Sequence, residues 1–91
     1  MLILLEQSQQ TLNELGKKIE ELSISLNIDE LKESVAQLEA QSQAPEFWND
    51  PKNSQTVLVE LKDKKEKLES YLDLKSSWQN ATEFLEMAIL D

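Results

Sequence analysis

The segment after Pro51 constrains the fold of this chain more than any other. From residue 52 to Leu90 the sequence contains neither glycine nor proline, the residues least compatible with a helix interior. At about 1.5 Å per residue, a helix over 51–90 has a length of about 60 Å, well beyond the usual globular range. We therefore predict one long helix that extends past the neighbours packed on it.

The apolar positions of this helix form a stripe with helical spacing. Its members are Val57, Leu58, Leu61, Leu68, Tyr71, Leu72, Trp78, Leu85 and Ile89. Lys64, Lys65 and Lys75 interrupt the stripe where coiled-coil seam positions fall, so it has two parts. We expect the first part, Val57–Leu72, to pack on the two preceding helices and the second part to extend beyond them.

The first helix is predicted over about 3–26. Its apolar residues lie three or four positions apart, as one buried stripe requires. They are Leu12, Leu15, Ile19, Leu22 and Leu26. Gly16 lies inside this helix, where glycine costs about 1 kcal/mol relative to alanine. We interpret Gly16 as a tolerated exposed glycine, with a close helix crossing as the alternative.

A second helix is predicted over 28–41. Asn27 followed by Glu30 has the spacing of a capping box, in which the Asn27 side chain caps the first turn. Because the connection to the first helix is so short, we expect an antiparallel hairpin, with a bent, nearly continuous helix as the alternative.

A turn over 42–50 separates the second helix from the long one. Pro45 suits the first position of a single helical turn, and Pro51 suits the first position of the long helix. Phe47 and Trp48 lie between the prolines and are too large and apolar to be left in water without reason. We predict that these four residues form a structural plug at the open end of the bundle, rather than a binding surface. A Trp48→Ala substitution is then expected to cost about 3–5 kcal/mol.

The composition favours an all-α fold, because the chain has one glycine and two prolines among many helix-forming residues. We predict a single helical domain over 1–91: an antiparallel helical hairpin packed on one long third helix, in an elongated three-helix bundle or coiled-coil-like arrangement. The chain has no cysteine and no histidine, which excludes disulfides, thiolate metal sites and the commonest general base. We expect no enzymatic activity, no metal and no cofactor.

The net charge of −9 is unfavourable for direct nucleic-acid binding, because an acidic surface repels a phosphate backbone. A basic protein partner fits better. The charged run Lys62–Glu69 predicts a solvated face with ion pairs four residues apart, such as Asp63 with Lys67 and Lys65 with Glu69. A phosphate-binding patch in this run is the alternative.

The apolar start of the chain, Met1–Leu5, is too short to span a bilayer. It also lacks the basic region and the cleavage site of a signal peptide. We therefore expect a cytoplasmic protein without a membrane partner.

Residues 45–51 read Pro-Glu-Phe-Trp-Asn-Asp-Pro. This segment resembles the Pro-Asp-Phe-Trp-Asn-Asp/Glu-Pro interhelical element of bacterial peptide chain release factor 2. Leu26–Lys32 resembles the Leu-Asp-x-x-x-Leu/Lys-Lys stretch that opens the family's second helix, and Phe84–Ala88 resembles the Leu-Leu-Glu-Leu-Ala stretch that ends its long helix. The resemblance covers most of the chain from about Leu22, without a gap after the turn.

The resemblance implies the helical first domain of a factor that reads UGA and UAA stop codons. In that family this domain projects toward the stalk base of the large ribosomal subunit and lies near release factor three. Codon reading uses a Ser-Pro-Phe motif and peptidyl-tRNA hydrolysis a Gly-Gly-Gln motif, neither of which occurs here. We therefore expect a fragment or isolated domain that lacks the codon-reading and peptide-release domains. A free-standing acidic helical adaptor or coiled-coil interaction protein is the alternative function.

The family also supplies a further helix along the C-terminal half of the long helix. Without that helix, we expect Trp78, Phe84, Leu85 and Ile89 to form an exposed apolar interface that self-association covers.

Overall fold

The computed structural model describes residues 2–90, with side chains from residue 3 onward. Residues 2–90 form three α-helices, α1 (Leu2–Leu26), α2 (Ile28–Ser42) and α3 (Pro51–Leu90), and a short 3-10 helix (Phe47–Asn49) precedes α3. No strand occurs in this part of the chain. The predicted all-α fold with one long third helix is confirmed.

A single residue, Asn27, separates α1 from α2. Its backbone is left-handed, with φ 53° and ψ 59°, and its side chain makes no capping hydrogen bond. The predicted capping box is therefore wrong, because a capping side chain requires an extended backbone at that position. Asparagine instead serves here as one of the few residues that tolerate a positive φ. Its carbonyl accepts a hydrogen bond from the Leu31 amide at 3.0 Å, which starts the hydrogen bonding of α2.

The described residues form two compact units. The first consists of the chain up to Ser25 together with the chain from Tyr71 onward, and the second is Leu26–Ser70. Each unit therefore takes one half of α3.

In the first unit, α1 packs against the C-terminal half of α3. Ile19 and Tyr71 are buried, and Trp78 is half-buried with its indole against α1. Our prediction that Trp78 extends beyond the two shorter helices is wrong, because α1 lies beside this part of α3.

In the second unit, α2 and the turn pack against the N-terminal half of α3. Leu38, Phe47 and Val57 form its buried cluster, and the partly buried Leu61 packs against them. Of the stripe Val57–Leu72, Val57 and Leu61 therefore pack with α2 in this unit, whereas Tyr71 is buried in the first unit.

Polar contacts join α2 to α3 in the second unit. The Lys64 ammonium donates a hydrogen bond to the Ser34 hydroxyl at 2.6 Å and pairs with Glu60 at 3.0 Å. Lys65 pairs with Glu39 at 2.9 Å, and the hydrogen bond and negative charge of Glu39 raise the Lys65 pKa above its usual 10.5. The predicted solvated face is therefore corrected for the two lysines that contact α2. Two of its lysines reach α2 because they lie at the seam between the helices.

Candidate interaction surfaces

Backbone hydrogen bonds build the turn between α2 and α3. The Phe47 amide donates to the Ala44 carbonyl at 3.0 Å, and the Asn49 amide donates to the Glu46 carbonyl at 3.0 Å. Asp50 follows in an extended conformation, and its carboxylate accepts from the Asn53 amide at 3.4 Å. The turn therefore meets α3 through an aspartate that caps the first helical turn.

Ser54 connects this turn to α3 through its side-chain hydroxyl. Its side chain is almost fully enclosed, with 3% of the residue exposed, and its hydroxyl contacts the Phe47 carbonyl and, at 2.9 Å, the Asp50 carbonyl. A serine hydroxyl has one proton to donate, so the two carbonyls share one donor. Sequence reasoning missed Ser54, because a serine in the first turns of a helix is ordinarily exposed and carries no distinguishing pattern.

Phe47 and Trp48 have opposite surroundings. Phe47 is 6% exposed and belongs to the buried cluster, whereas Trp48 is 66% exposed. Successive side chains of a 3-10 helix point about 120° apart, so neighbours seldom share one core. The plug prediction is therefore corrected for Trp48, whose ring meets Phe47 edge-on with centroids 4.9 Å apart and planes at 84°.

An open apolar groove lies beside the Trp48 ring, and we call it the Trp48 groove. Its volume is about 430 Å³, and it is lined by Trp48, Pro51, Ser54, Gln55, Leu58, Val59 and Lys62. Val59 is 55% exposed in this groove. The second unit thus presents an aromatic ring and two aliphatic side chains to solvent at one place.

In the first unit, the backbone of α1 approaches Trp78 closely. The Trp78 indole Nε1 donates a hydrogen bond to the Leu12 carbonyl at 2.7 Å. A Cβ atom added at Gly16 would lie 2.5 Å from Cζ2 of the same ring, closer than real Cβ contacts permit. The interpretation of Gly16 as a tolerated exposed glycine is therefore wrong, and the alternative of a close helix crossing is correct.

A second apolar groove, the Trp78 groove, lies between α1 and the C-terminal half of α3. Its volume is about 460 Å³, and it is lined by Leu12, Leu15, Lys18, Ile19, Leu22, Leu74, Ser77, Trp78 and Ala81. Farther along α3, Phe84 is 75% exposed, Ile89 is exposed and Leu85 is half-buried. The role of Trp78, Phe84, Leu85 and Ile89 as an interface remains a prediction.

Apolar side chains make up most of the lining of both grooves. Across residues 2–90, no cluster of three or more acidic, histidine or cysteine side chains is arranged to hold a metal ion. Within the same residues, every helix is too short or too polar to cross a membrane.

Comparison with known proteins finds relatives named peptide chain release factor 2. The chain is 35% identical over 77 residues to the protein of Sulfurovum sp. (strain NBC37-1), covering 85% of this chain and 21% of that protein. It is 32% identical over 80 residues to the protein of Nautilia profundicola, covering 88% and 22%, respectively. It is 36% identical over 76 residues to the protein of Rickettsia bellii, covering 79% and 21%.

The chain thus spans about a fifth of the length of the curated relatives that it matches, 21% and 22% for the first two. No protein-family model and no solved structure matches the chain. The predicted resemblance is confirmed over the aligned residues.

Proposed function

The chain is related to peptide chain release factor 2 over most of its length, and from that premise we propose that it is a ribosome-docking domain of a translation termination factor. The observation that carries the proposal is the 35% identity over 77 residues to a region that makes up 21% of such a factor. A match of this extent includes α2, the turn and the N-terminal half of α3, rather than a single short motif.

The geometry supports docking over chemistry for this part of a factor. Both grooves are lined mainly by apolar side chains, and several large apolar side chains, among them Trp48 and Phe84, are exposed. Such surfaces are typical of protein contacts. In the proposal, the complete factor promotes peptidyl-tRNA hydrolysis at stop codons with its other domains, and these residues contribute binding and no chemistry.

The partner in this proposal is the ribosome. The net charge of −9 favours a basic protein over RNA as the direct contact, which suits the protein at the stalk base of the large subunit. Release factor three is a further proposed neighbour. The cytoplasm is the corresponding location.

Cosedimentation with ribosomes tests this function. The labelled chain is centrifuged with salt-washed large ribosomal subunits at low and high salt, with and without unlabelled Sulfurovum release factor 2. We expect the chain to cosediment at low salt, to be displaced by the full factor, and to bind more weakly as salt screens the charges. Absence of cosedimentation at low salt, or binding that the full factor leaves unchanged, would contradict the proposal.

A release assay tests the assignment of chemistry to other domains. The chain is added to ribosomes that carry a UGA codon and a peptidyl-tRNA, alone and together with the full factor. We expect no hydrolysis above the buffer control from the chain alone, and slower hydrolysis by the full factor because the chain competes for its docking site. Hydrolysis by the chain itself would contradict the assignment.

A further inference from the structure

We propose that a second copy of the chain packs on the Trp78 groove, so that two copies pair through the same face of their first units. The inference goes beyond the proposed function and does not depend on it. Of the interface residues predicted from the sequence, Trp78 and Phe84 belong to this face.

The apolar surface of the first unit extends past the groove itself. On α1, Leu4 lies eleven residues, about three turns, before Leu15, which lines the groove. On α3, Phe84 lies seven residues, about two turns, after Ser77, which also lines it. Leu4 and Phe84 are both exposed, so they continue the two walls of the groove. We call the groove together with these two residues the Trp78 face.

The Trp78 face is large enough for a specific contact between copies. Leu15 is 43% exposed and Leu74 is 47% exposed. Phe84, at 75% exposed, adds roughly 150 Å² of apolar surface. With the rest of the groove lining, the face offers on the order of 500 Å² per copy, so a pair would bury about 1,000 Å² in total, the lower limit for a specific interface.

The two sides of this helix pair differ in polarity. The side away from the groove is mainly polar, and its exposed residues each follow a groove residue by one position, which places them about 100° farther round the helix. They are Asn13, Glu20, Lys75 and Gln79. A helix pair that is apolar on one side needs one further layer on that side. Two copies supply this layer to each other, and their four helices enclose the apolar residues as in a four-helix bundle.

The face is ordered before a partner arrives. The Trp78 ring is held by its hydrogen bond to the Leu12 carbonyl and lies against the α1 backbone at Gly16. Ser77 and Ala81 line the groove beside it, and their small side chains let another helix approach closely. Because the wall is fixed in advance, little conformational entropy is lost when a second copy packs on it.

Charge opposes this pairing at long range and favours it locally. Residues 2–25 and 71–90 carry seven acidic side chains and three lysines, so their net charge is −4. Two copies therefore repel each other, and salt that screens the repulsion should strengthen their contact. Lys18 is the charged residue that lines the groove, and an acidic second copy complements it better than a basic partner does. Because both copies use the same face, the contact closes at two copies.

Sedimentation equilibrium of the 91-residue chain, from micromolar to millimolar concentration at low and high salt, tests the pairing. Leu74→Gln removes an apolar residue of the groove. Leu72→Gln is its matched control, because Leu72 is 40% exposed and lies outside the groove. Lys18→Glu reverses the charge in the groove, and Lys17→Glu makes the same change in net charge at an exposed neighbour outside it.

We expect a monomer–dimer equilibrium that shifts toward the dimer as salt is added. Leu74→Gln should weaken the dimer by about tenfold or more, because each dimer carries the substitution twice. Lys18→Glu should weaken it several-fold at low salt, more than Lys17→Glu does, and Leu72→Gln should leave it nearly unchanged. Circular dichroism at micromolar concentration should stay helical in every variant, and Lys18→Glu decides the matter if Leu74→Gln loses helicity.

Cross-linking locates the face independently. The chain has no cysteine, so a single introduced cysteine reports only contacts between copies. We expect a short bis-maleimide to join two copies of Ser77→Cys, which places the thiol in the groove, much faster than two copies of Gln79→Cys, which places it on the polar side of the same helix.

Four results overturn the proposal. They are a strict monomer at millimolar concentration, growth into species larger than a dimer, controls that weaken the dimer as much as the groove variants do, and equal cross-linking of the two cysteine variants. A strict monomer that still cosediments with ribosomes leaves the docking function intact and removes this inference alone. A dimer that does not cosediment has the opposite meaning.

Discussion

The indole nitrogen of Trp78 donates a hydrogen bond of 2.7 Å to the main-chain carbonyl of Leu12. That carbonyl lies one helical turn before Gly16, so the same carbonyl can also accept the Gly16 amide within α1. The ring covers the backbone at the one position in the chain without a side chain, since Gly16 is the only glycine. The close approach and the hydrogen bond therefore depend on one another.

Gly16→Ala should destabilise the chain, although the same change in an exposed helix is usually favourable by about 1 kcal/mol. The added Cβ would lie 2.5 Å from the Trp78 ring, which must shift and lose its hydrogen bond. We expect a loss of about 1–3 kcal/mol in the free energy of unfolding, measured with urea. Ser25→Ala, at an exposed position of α1, is the control and should be neutral or stabilising. A Gly16→Ala variant that is more stable than wild type would contradict the close crossing.

Trp78→Phe tests the indole hydrogen bond itself. Phenylalanine keeps an aromatic ring but has no N–H group, so the Leu12 carbonyl loses its tertiary donor. We expect a loss of about 1–2 kcal/mol from the hydrogen bond and the altered packing. Trp48→Phe, the same change at an exposed ring, should alter thermal or urea unfolding by less than about 0.5 kcal/mol. Equal effects at the two positions would refute this distinction.

Phe47→Ala and Trp48→Ala should differ although the two residues are adjacent. Phe47 is buried, so its truncation leaves a cavity and should cost about 3–5 kcal/mol. Trp48 is mostly exposed, so its truncation should cost less than about 1 kcal/mol, well below the 3–5 kcal/mol expected from a plug. Urea unfolding of both variants in one buffer compares their free energies of unfolding. If Trp48→Ala lowers this free energy as much as Phe47→Ala does, Trp48 has the structural role that the plug prediction gave it.

Ser54→Ala should cost about 1–2 kcal/mol, because it removes the hydroxyl that contacts the carbonyls of Phe47 and Asp50 in a buried place. Thr56→Ala is a matched control two residues later. Its hydroxyl also contacts a backbone carbonyl, that of Lys52 at 3.0 Å, but on the exposed side of α3. We expect Thr56→Ala to lower the free energy of unfolding by less than about 0.5 kcal/mol. Hydrogen exchange of the Phe47 and Asn49 amides should become faster in Ser54→Ala alone.

Charge reversal at Glu20 and Glu21 tests whether acidic residues of α1 steer the chain to ribosomes. Both side chains are exposed, so Glu20→Lys with Glu21→Lys should leave unfolding nearly unchanged. We expect a several-fold slower association with large ribosomal subunits at low salt, and a smaller difference at high salt. Stopped-flow fluorescence measures the rate, and an unchanged rate at low salt would exclude this steering role.

The helices were predictable because their signals are local. Spacings of three and four mark apolar stripes in α1 and α2, and the absence of glycine and proline after Pro51 marks α3. The pairing of α1 with the C-terminal half of α3 was not predictable in the same way. An apolar stripe indicates which face of a helix is buried. It does not indicate which part of another helix packs on that face.

The interaction surfaces were harder to predict than the helices. Phe47 and Trp48 are both large aromatic residues, and the geometry of the 3-10 helix separates the buried ring from the exposed one. Gly16 lets the Trp78 ring approach the backbone of α1, and the Ser54 hydroxyl contacts backbone carbonyls. Neither contact leaves a pattern in the sequence by which it could be predicted. The capping box at Asn27 was predicted wrongly because asparagine is common both as a side-chain cap and at backbone positions with a positive φ.

The adjacency of Phe47 and Trp48 gives two neighbouring positions of the backbone different tolerance to substitution. A smaller side chain at position 47 leaves a cavity, since the ring there belongs to the buried cluster. A smaller side chain at position 48 leaves no cavity, since the ring there is open to solvent. Position 48 can therefore vary without a stabilising change elsewhere in the chain.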